Sequence, residues 1–280
     1  MPPRQGPKRP ENWLVLLHTC ESARANGKLF EFIAGGISAC VRNAESLAGD
    51  LTLLLANKRS AAAQFIYATC MEEMGKAFIL LDMVRADCRP GGRLKHLCRA
   101  FYNHLNKYGY ARTVHFPGAG RMEDALALYK LELIEYWPNR DPESGEPALP
   151  ADGFAHRECA IYVDWVEFDG RWFFPPDSSL AKYFADAWIP GHPSPAEETV
   201  NELLGPLLRA DTEGLFSAES LQIVREEFSP HYLSATSDER IRQILIGLEE
   251  RFVQAGSRVT PQTLSANFMR FPLYAAILDE

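Results

Sequence analysis

The chain has 280 residues, of which 46% are hydrophobic and 24% charged, and its formal net charge is -8. This is the composition of an ordinary globular protein, long enough for one sizeable core or a core with a satellite subdomain. The acidic balance excludes a global basic field for nucleic acid, so any RNA contact must rest on a local patch. No apolar run approaches the ~20 residues of a membrane-crossing helix.

Residues 1–28 read as an N-terminal arm followed by a short helix. The opening Met1-Pro2-Pro3-Arg4-Gln5-Gly6-Pro7-Lys8-Arg9-Pro10 has no apolar segment of a secretion signal and is expected to be disordered. From Leu29 to about Ala56, Ile33, Ile37, Cys40, Ala44, Leu47 and Leu51 recur at helical spacing without a proline. Asn57-Lys58-Arg59-Ser60 is a polar link, with Ser60 as the expected N-cap of a second long helix running to about Asp87. Two helices of matched length on a tight link predict an antiparallel hairpin. After the turn signal Arg89-Pro90-Gly91-Gly92, a third helix is expected over Arg93–Val114 and a fourth from Met122 to about Trp137.

A loop follows from Pro138 to Gly153. The pattern then shifts to aromatic and β-branched residues from Cys159 to Phe168, Asp169-Gly170, and Arg171-Trp172-Phe173-Phe174, which predicts a β-hairpin. Helices return over about Pro195–Arg209, Ser217–Phe228, Asp238–Gln254 and Pro261–Arg270. The expected fold class is therefore mainly all-α. It divides into an arm and short helix (1–28), a helical bundle (29–137), a loop and β-hairpin insertion (138–176) and a helical C-terminal extension (177–280). Six cysteines at 20, 40, 70, 88, 98 and 159 form no CxxC pattern and read as small core residues of a reduced, cytoplasmic protein.

Two linked segments carry the chemistry. On the second helix, Ile66, Cys70, Ala77, Leu80 and Val84 define an apolar stripe on which Glu73 falls. A carboxylate there needs a cationic partner, either Lys76 at i+3 or Arg99 on the next helix. Arg99 and His104 are five residues apart, so on one helix they splay by about 140°. Convergence then requires a helix that ends near Asn103, or a two-fold dimer that brings copies from both chains to one cleft. Asn103, at i+4 from Arg99, adds a hydrogen-bond donor for phosphate, and Lys107, at i+3 from His104, adds positive charge. Arg89, Arg93, Lys95, His96, Arg99, His104, Lys107 and Arg112 make this the most basic part of the chain. A solvated helix face explains that run as well as a polyanion site does.

Such a set suits internal transesterification of RNA without a metal. His104 takes the 2′-hydroxyl proton as general base, and Arg99 stabilises charge on the phosphorane oxygens. His18, His96, His115, His156, His192 and His231 show no metal-ligand arrangement, and no P-loop, Gly-x-Ser-x-Gly or Gly-x-Gly-x-x-Gly occurs. Neither cofactor nor metal is expected.

Asn43-Ala44, Ala61-Ala62-Ala63, Glu72-Glu73-Met74-Gly75-Lys76-Ala77 and His104-x-x-Lys107 resemble the AbiV family of bacterial abortive-infection proteins. Ile161-Tyr162-Val163-Asp164, Asp169-Gly170-Arg171-Trp172 and Pro175 resemble the short hairpin that follows in that family. The likeness covers about Leu29 to Pro175. AbiV proteins are similar in turn to the HEPN superfamily, which implies a helical, usually dimeric fold and, for many members, metal-independent ribonuclease activity from an Arg-x4-6-His motif. Arg99 and His104 fit that spacing, with Ala100 where a polar residue commonly follows the Arg. The resemblance implies phage defence by shutdown of host growth or translation, with RNA as substrate, a homodimer, and a phage-encoded activator. Other HEPN members are non-catalytic binding modules. That leaves a second expectation, in which Glu73–Arg99 is a structural ion pair and the protein binds a phage or ribosomal component.

Overall fold

The computed structural model describes residues 11–85, 93–115, 192–228 and 238–268, with a few short stretches between. The helices are α1 (Asn12–Ala25), α2 (Leu29–Ala56), α3 (Ser60–Arg85), α4 (Arg93–Tyr102), α5 (His104–His115), α6 (Pro195–Thr212), α7 (Ala218–Phe228), α8 (Asp238–Gln254) and α9 (Pro261–Phe268). The fold is a helical bundle, as expected from the periodicity.

The α2–α3 hairpin forms the centre. Ile33, Ile37, Cys40, Ala44 and Leu51 of the α2 stripe are buried, while Leu47 is half-buried. The link closes with Lys58 in the left-handed region at φ 57°, and the Lys58 and Arg59 amides donate back to Leu55 and Leu54. Ser60 is the first helical residue, not the cap: the Ala63 amide donates to the Arg59 carbonyl, one residue earlier. From Ala77 to Arg85 every residue of α3 is buried, which makes it the axis of the bundle. Asp82 and Arg85 are buried with it. They pair with each other at 2.9 Å, and Tyr110 of α5 donates to Asp82 at 3.2 Å.

The C-terminal helices share this core. Leu203, Leu204 and Leu207 of α6, Leu221, Val224 and Phe228 of α7, and Ile244, Leu248 and Phe252 of α8 join the same apolar cluster as α2 and α3. Polar ties fix the docking. Ser194 and Glu197 form a capping box at the start of α6, and the Glu197 Oε1 also accepts from Thr52 of α2 at 2.7 Å. Ser38 of α2 donates to Asp211 at 2.8 Å. Arg225 of α7 donates to the Val84 and Arg85 carbonyls of α3.

Two expectations need correction. The third helix does not run unbroken over Arg93–Val114, because it is interrupted at Asn103 and splits into α4 and α5. The fourth helix, Met122–Trp137, lies outside the described residues except at its end, where Tyr136–Trp137 (β1) pairs with Leu149–Pro150 (β2) as a strand. Most of the expected hairpin also lies outside them, as does Arg89; Asp164–Val166 (β3) pairs antiparallel with Arg171–Phe173 (β4), with Trp165 opposite Trp172.

Candidate functional site

Asn103 ends one helix and starts the next. Its amide donates to the Arg99 carbonyl at 3.1 Å, and its side-chain Oδ1 accepts from the Asn106 amide at 2.9 Å. This is N-cap geometry, which a short amide side chain supplies well. The Oδ1 of Asn103 therefore shapes the backbone, and the donor expected to meet phosphate is the other side-chain atom, Nδ2. His104 becomes the first residue of α5, at the positive end of that helix.

From there His104 reaches across to α3. Its Nδ1 lies 2.7 Å from Oε2 of Glu72, and Nζ of Lys107 lies 2.7 Å from the same oxygen. Lys107 Nζ and His104 Nδ1 are 3.2 Å apart, so two donors crowd one carboxylate oxygen. Their exposures differ: the His104 side chain is 48% exposed, Glu72 9% and Lys107 6%. Burial works to raise the Glu72 carboxyl, but the His104 hydrogen bond and the Lys107 ammonium outweigh it and hold it below its ordinary value. Burial pulls Lys107 down, against the attraction of Glu72.

A missing side chain makes this approach feasible. A Cβ on Gly75 would sit 1.9 Å from the Lys107 carbonyl oxygen, inside the backbone of α5. Only glycine lets α3 and α5 come this close, one turn from Glu72.

The remaining expected residues are placed differently. Glu73 pairs with Lys76 on its own helix, the local alternative, and not with Arg99. Lys76 also lies 5.8 Å over the ring of Phe101. Arg99 is exposed and turns toward α1, where its Cζ sits 4.5 Å over Trp13, with Lys95 over the same ring at 5.9 Å. The interhelical ion pair of this region is thus Glu72–Lys107, in place of Glu73–Arg99. The basic run does not form one face: Lys107 is buried, and Lys95 and Arg99 flank Trp13. Cys40 and Cys70, close to the cluster, are each pushed up to about 12 by burial and then by the Glu73 charge, so both are thiols at neutral pH.

Glu72 is the residue that sequence reasoning passed over. It stands beside Glu73, about 100° around the helix, and the apolar stripe pointed to Glu73. The available signal was His104-x-x-Lys107, two basic side chains on one helical face that together require an acid opposite.

The ordering of these groups on α3 and α5 lies within a longer match. A family model described as AbiV, of the HEPN type, matches residues 32–188. The chain belongs to the AbiV family. It is a HEPN-like abortive-infection protein, and the AbiV match takes in α2 to α5 while leaving α1 and α6 to α9 outside. Comparison with curated proteins and with solved structures gave no significant match. Among the described residues of this AbiV chain, no helix is long and apolar enough to cross a membrane.

Proposed function

We propose that this protein is a metal-independent endoribonuclease of the abortive-infection class, acting in the cytoplasm, with Arg99 and His104 as its catalytic residues. The observation that carries the reading is His104, whose Nδ1 is engaged inward by Glu72 while nearly half of its side chain stays open to solvent. A general base needs this combination of fixed orientation and open access. Arg99, exposed on the preceding helix, supplies the guanidinium for phosphate.

In the reaction, the 2′-oxygen attacks phosphorus while His104 takes its proton. The bond to the 5′-oxygen breaks, and that oxygen picks up a proton from water. The products are a 2′,3′-cyclic phosphate and a 5′-hydroxyl end. Lys107 is too buried to meet substrate, and together with Glu73, Lys76 and Asn103 it organises the helices that present the pair. A homodimer would set a second Arg99 and His104 beside the first, and a phage-encoded component would trigger the activity.

The test is RNA cleavage by purified protein in EDTA, wild type beside His104→Ala, with product ends mapped. Cyclic-phosphate ends from the wild type alone are expected. Equal cleavage by a folded His104→Ala protein would refute the assignment.

A second reading is favoured by one contact. Arg99 stacked on Trp13 is what a structural arginine looks like, and a non-catalytic defence protein would bind a phage or ribosomal partner instead. Under that reading Trp172→Ala, on the β3–β4 hairpin, abolishes protection, and Arg99 and His104 substitutions act only through stability.

A further inference from the structure

We propose that Glu72 is a positioning residue that fixes the tautomer of His104, so that Nε2 is the nitrogen that accepts the substrate proton. The inference deepens the ribonuclease reading and rests on it for its consequence, but the tautomer itself is a property of the resting protein.

Lys107 Nζ lies 2.7 Å from Glu72 Oε2 in an ion pair, and an ionised carboxylate only accepts hydrogen bonds. The ring nitrogen 2.7 Å from Glu72 Oε2 must therefore carry the hydrogen, which makes it Nδ1–H. An ammonium only donates, so the 3.2 Å approach of Lys107 Nζ to Nδ1 is a contact between two donors drawn to one oxygen. In neutral His104 the lone pair then resides on Nε2. A histidine without such a partner samples both tautomers and wastes part of its population as the wrong base.

The surroundings support the arrangement. Lys76 is occupied by Glu73 and does not compete for Glu72. Gly75 permits the backbone approach that brings Glu72 within reach of α5. The charged groups acting on Lys107 are Glu72 and Glu73, which favour its ammonium, and Lys76, which opposes it, all from α3. Arg99 of α4 is engaged with Trp13, and Glu197 of α6 with Thr52. The Glu72–Lys107 pair is close to neutral as a unit, so Glu72 can orient the imidazole without presenting it with an uncompensated negative charge.

The experiment is long-range 1H–15N NMR on the full-length protein with 15N-labelled histidine, the His104 signals being assigned by their loss in His104→Gln. The wild type should show a protonated Nδ1 and a bare Nε2. Glu72→Gln, which keeps an acceptor without the charge, should retain that pattern. Glu72→Ala strands a buried ammonium and risks the fold, so the decisive variant is Glu72→Ala/Lys107→Met, which removes both charges. That variant should give mixed tautomers and, in RNA cleavage, a kcat lower by roughly 2–10-fold, the share of His104 lost to the wrong tautomer, with KM little changed. A wild-type His104 with a bare Nδ1, or a double variant with the wild-type tautomer, overturns the proposal. The expected tautomers with no RNA cleavage would uphold the tautomer assignment and count against the ribonuclease reading alone, so the two failures are distinguishable.

Discussion

Arg99 of α4 stacks over the indole of Trp13 of α1, with its Cζ 4.5 Å from the ring centroid. Trp13 lies ahead of residues 32–188, which match the AbiV family, so a helix outside the matched region holds the guanidinium. The contact is partly exposed, and cation–π pairs of that kind contribute about 0.5–1 kcal/mol. A double-mutant cycle of Trp13→Ala and Arg99→Ala, read by urea unfolding, should give a coupling energy in that range. Additive effects would mean that the stacking is incidental. The same variants report on function: if Arg99 meets phosphate, Trp13→Ala should leave cleavage dependent on Arg99.

Gly75→Ala tests the α3–α5 approach. The added methyl would lie 1.9 Å from the Lys107 carbonyl oxygen, which is backbone and has no rotamer to move aside. Overpacking of this type costs about 1–3 kcal/mol, and the helices must also separate. The expected outcome is a lower unfolding midpoint together with loss of the His104 tautomer signature. A protein of unchanged stability would show that the helices part freely.

Removal of one partner from the buried Glu72–Lys107 pair should be far worse than removal of both. Lys107→Met takes from Glu72 its buried counter-charge, and Glu72→Ala leaves Lys107 without its main one. Single losses of this kind cost about 3–5 kcal/mol, whereas an apolar replacement of both groups is often neutral. Denaturant unfolding of Lys107→Met, Glu72→Ala and the double variant checks this ordering. A double variant weaker than either single one would contradict it.

The acid limb of stability follows from Glu72. Its folded carboxyl is held below the ordinary value of 4.5, so near that pH the unfolded chain binds a proton that the folded chain does not. The associated stability is present above 4.5 and is lost as pH falls from there through the lower folded value. Unfolding free energy measured against pH should therefore decline more steeply in the wild type than in Glu72→Gln, which cannot titrate. Parallel acid limbs would remove Glu72 as a source of the slope.

Local sequence determined much of this protein. The α2 stripe, the polar link at Asn57-Lys58-Arg59 and the resumption of helices after Pro195 are short-range signals, and α2, α3 and α6 to α9 appear where periodicity and breakers place them. The family was legible too, because Glu72-Glu73-Met74-Gly75-Lys76-Ala77 and His104-x-x-Lys107 are contiguous strings. The partner of each charged side chain was not. Glu72 and Glu73 are adjacent in sequence, but about 100° of helical rotation sends one to α5 and the other to Lys76. That the Asn103 Oδ1 caps α5, and that Glu73 takes Lys76 and not Arg99 as its partner while Trp13 lies beneath Arg99, are set by the tertiary structure. Helix formation is decided by neighbours three and four residues away, and the sequence contains that information. Charge pairing is decided by which helices pack and how closely, and here Gly75 and the bend at Asn103 settled that only in three dimensions.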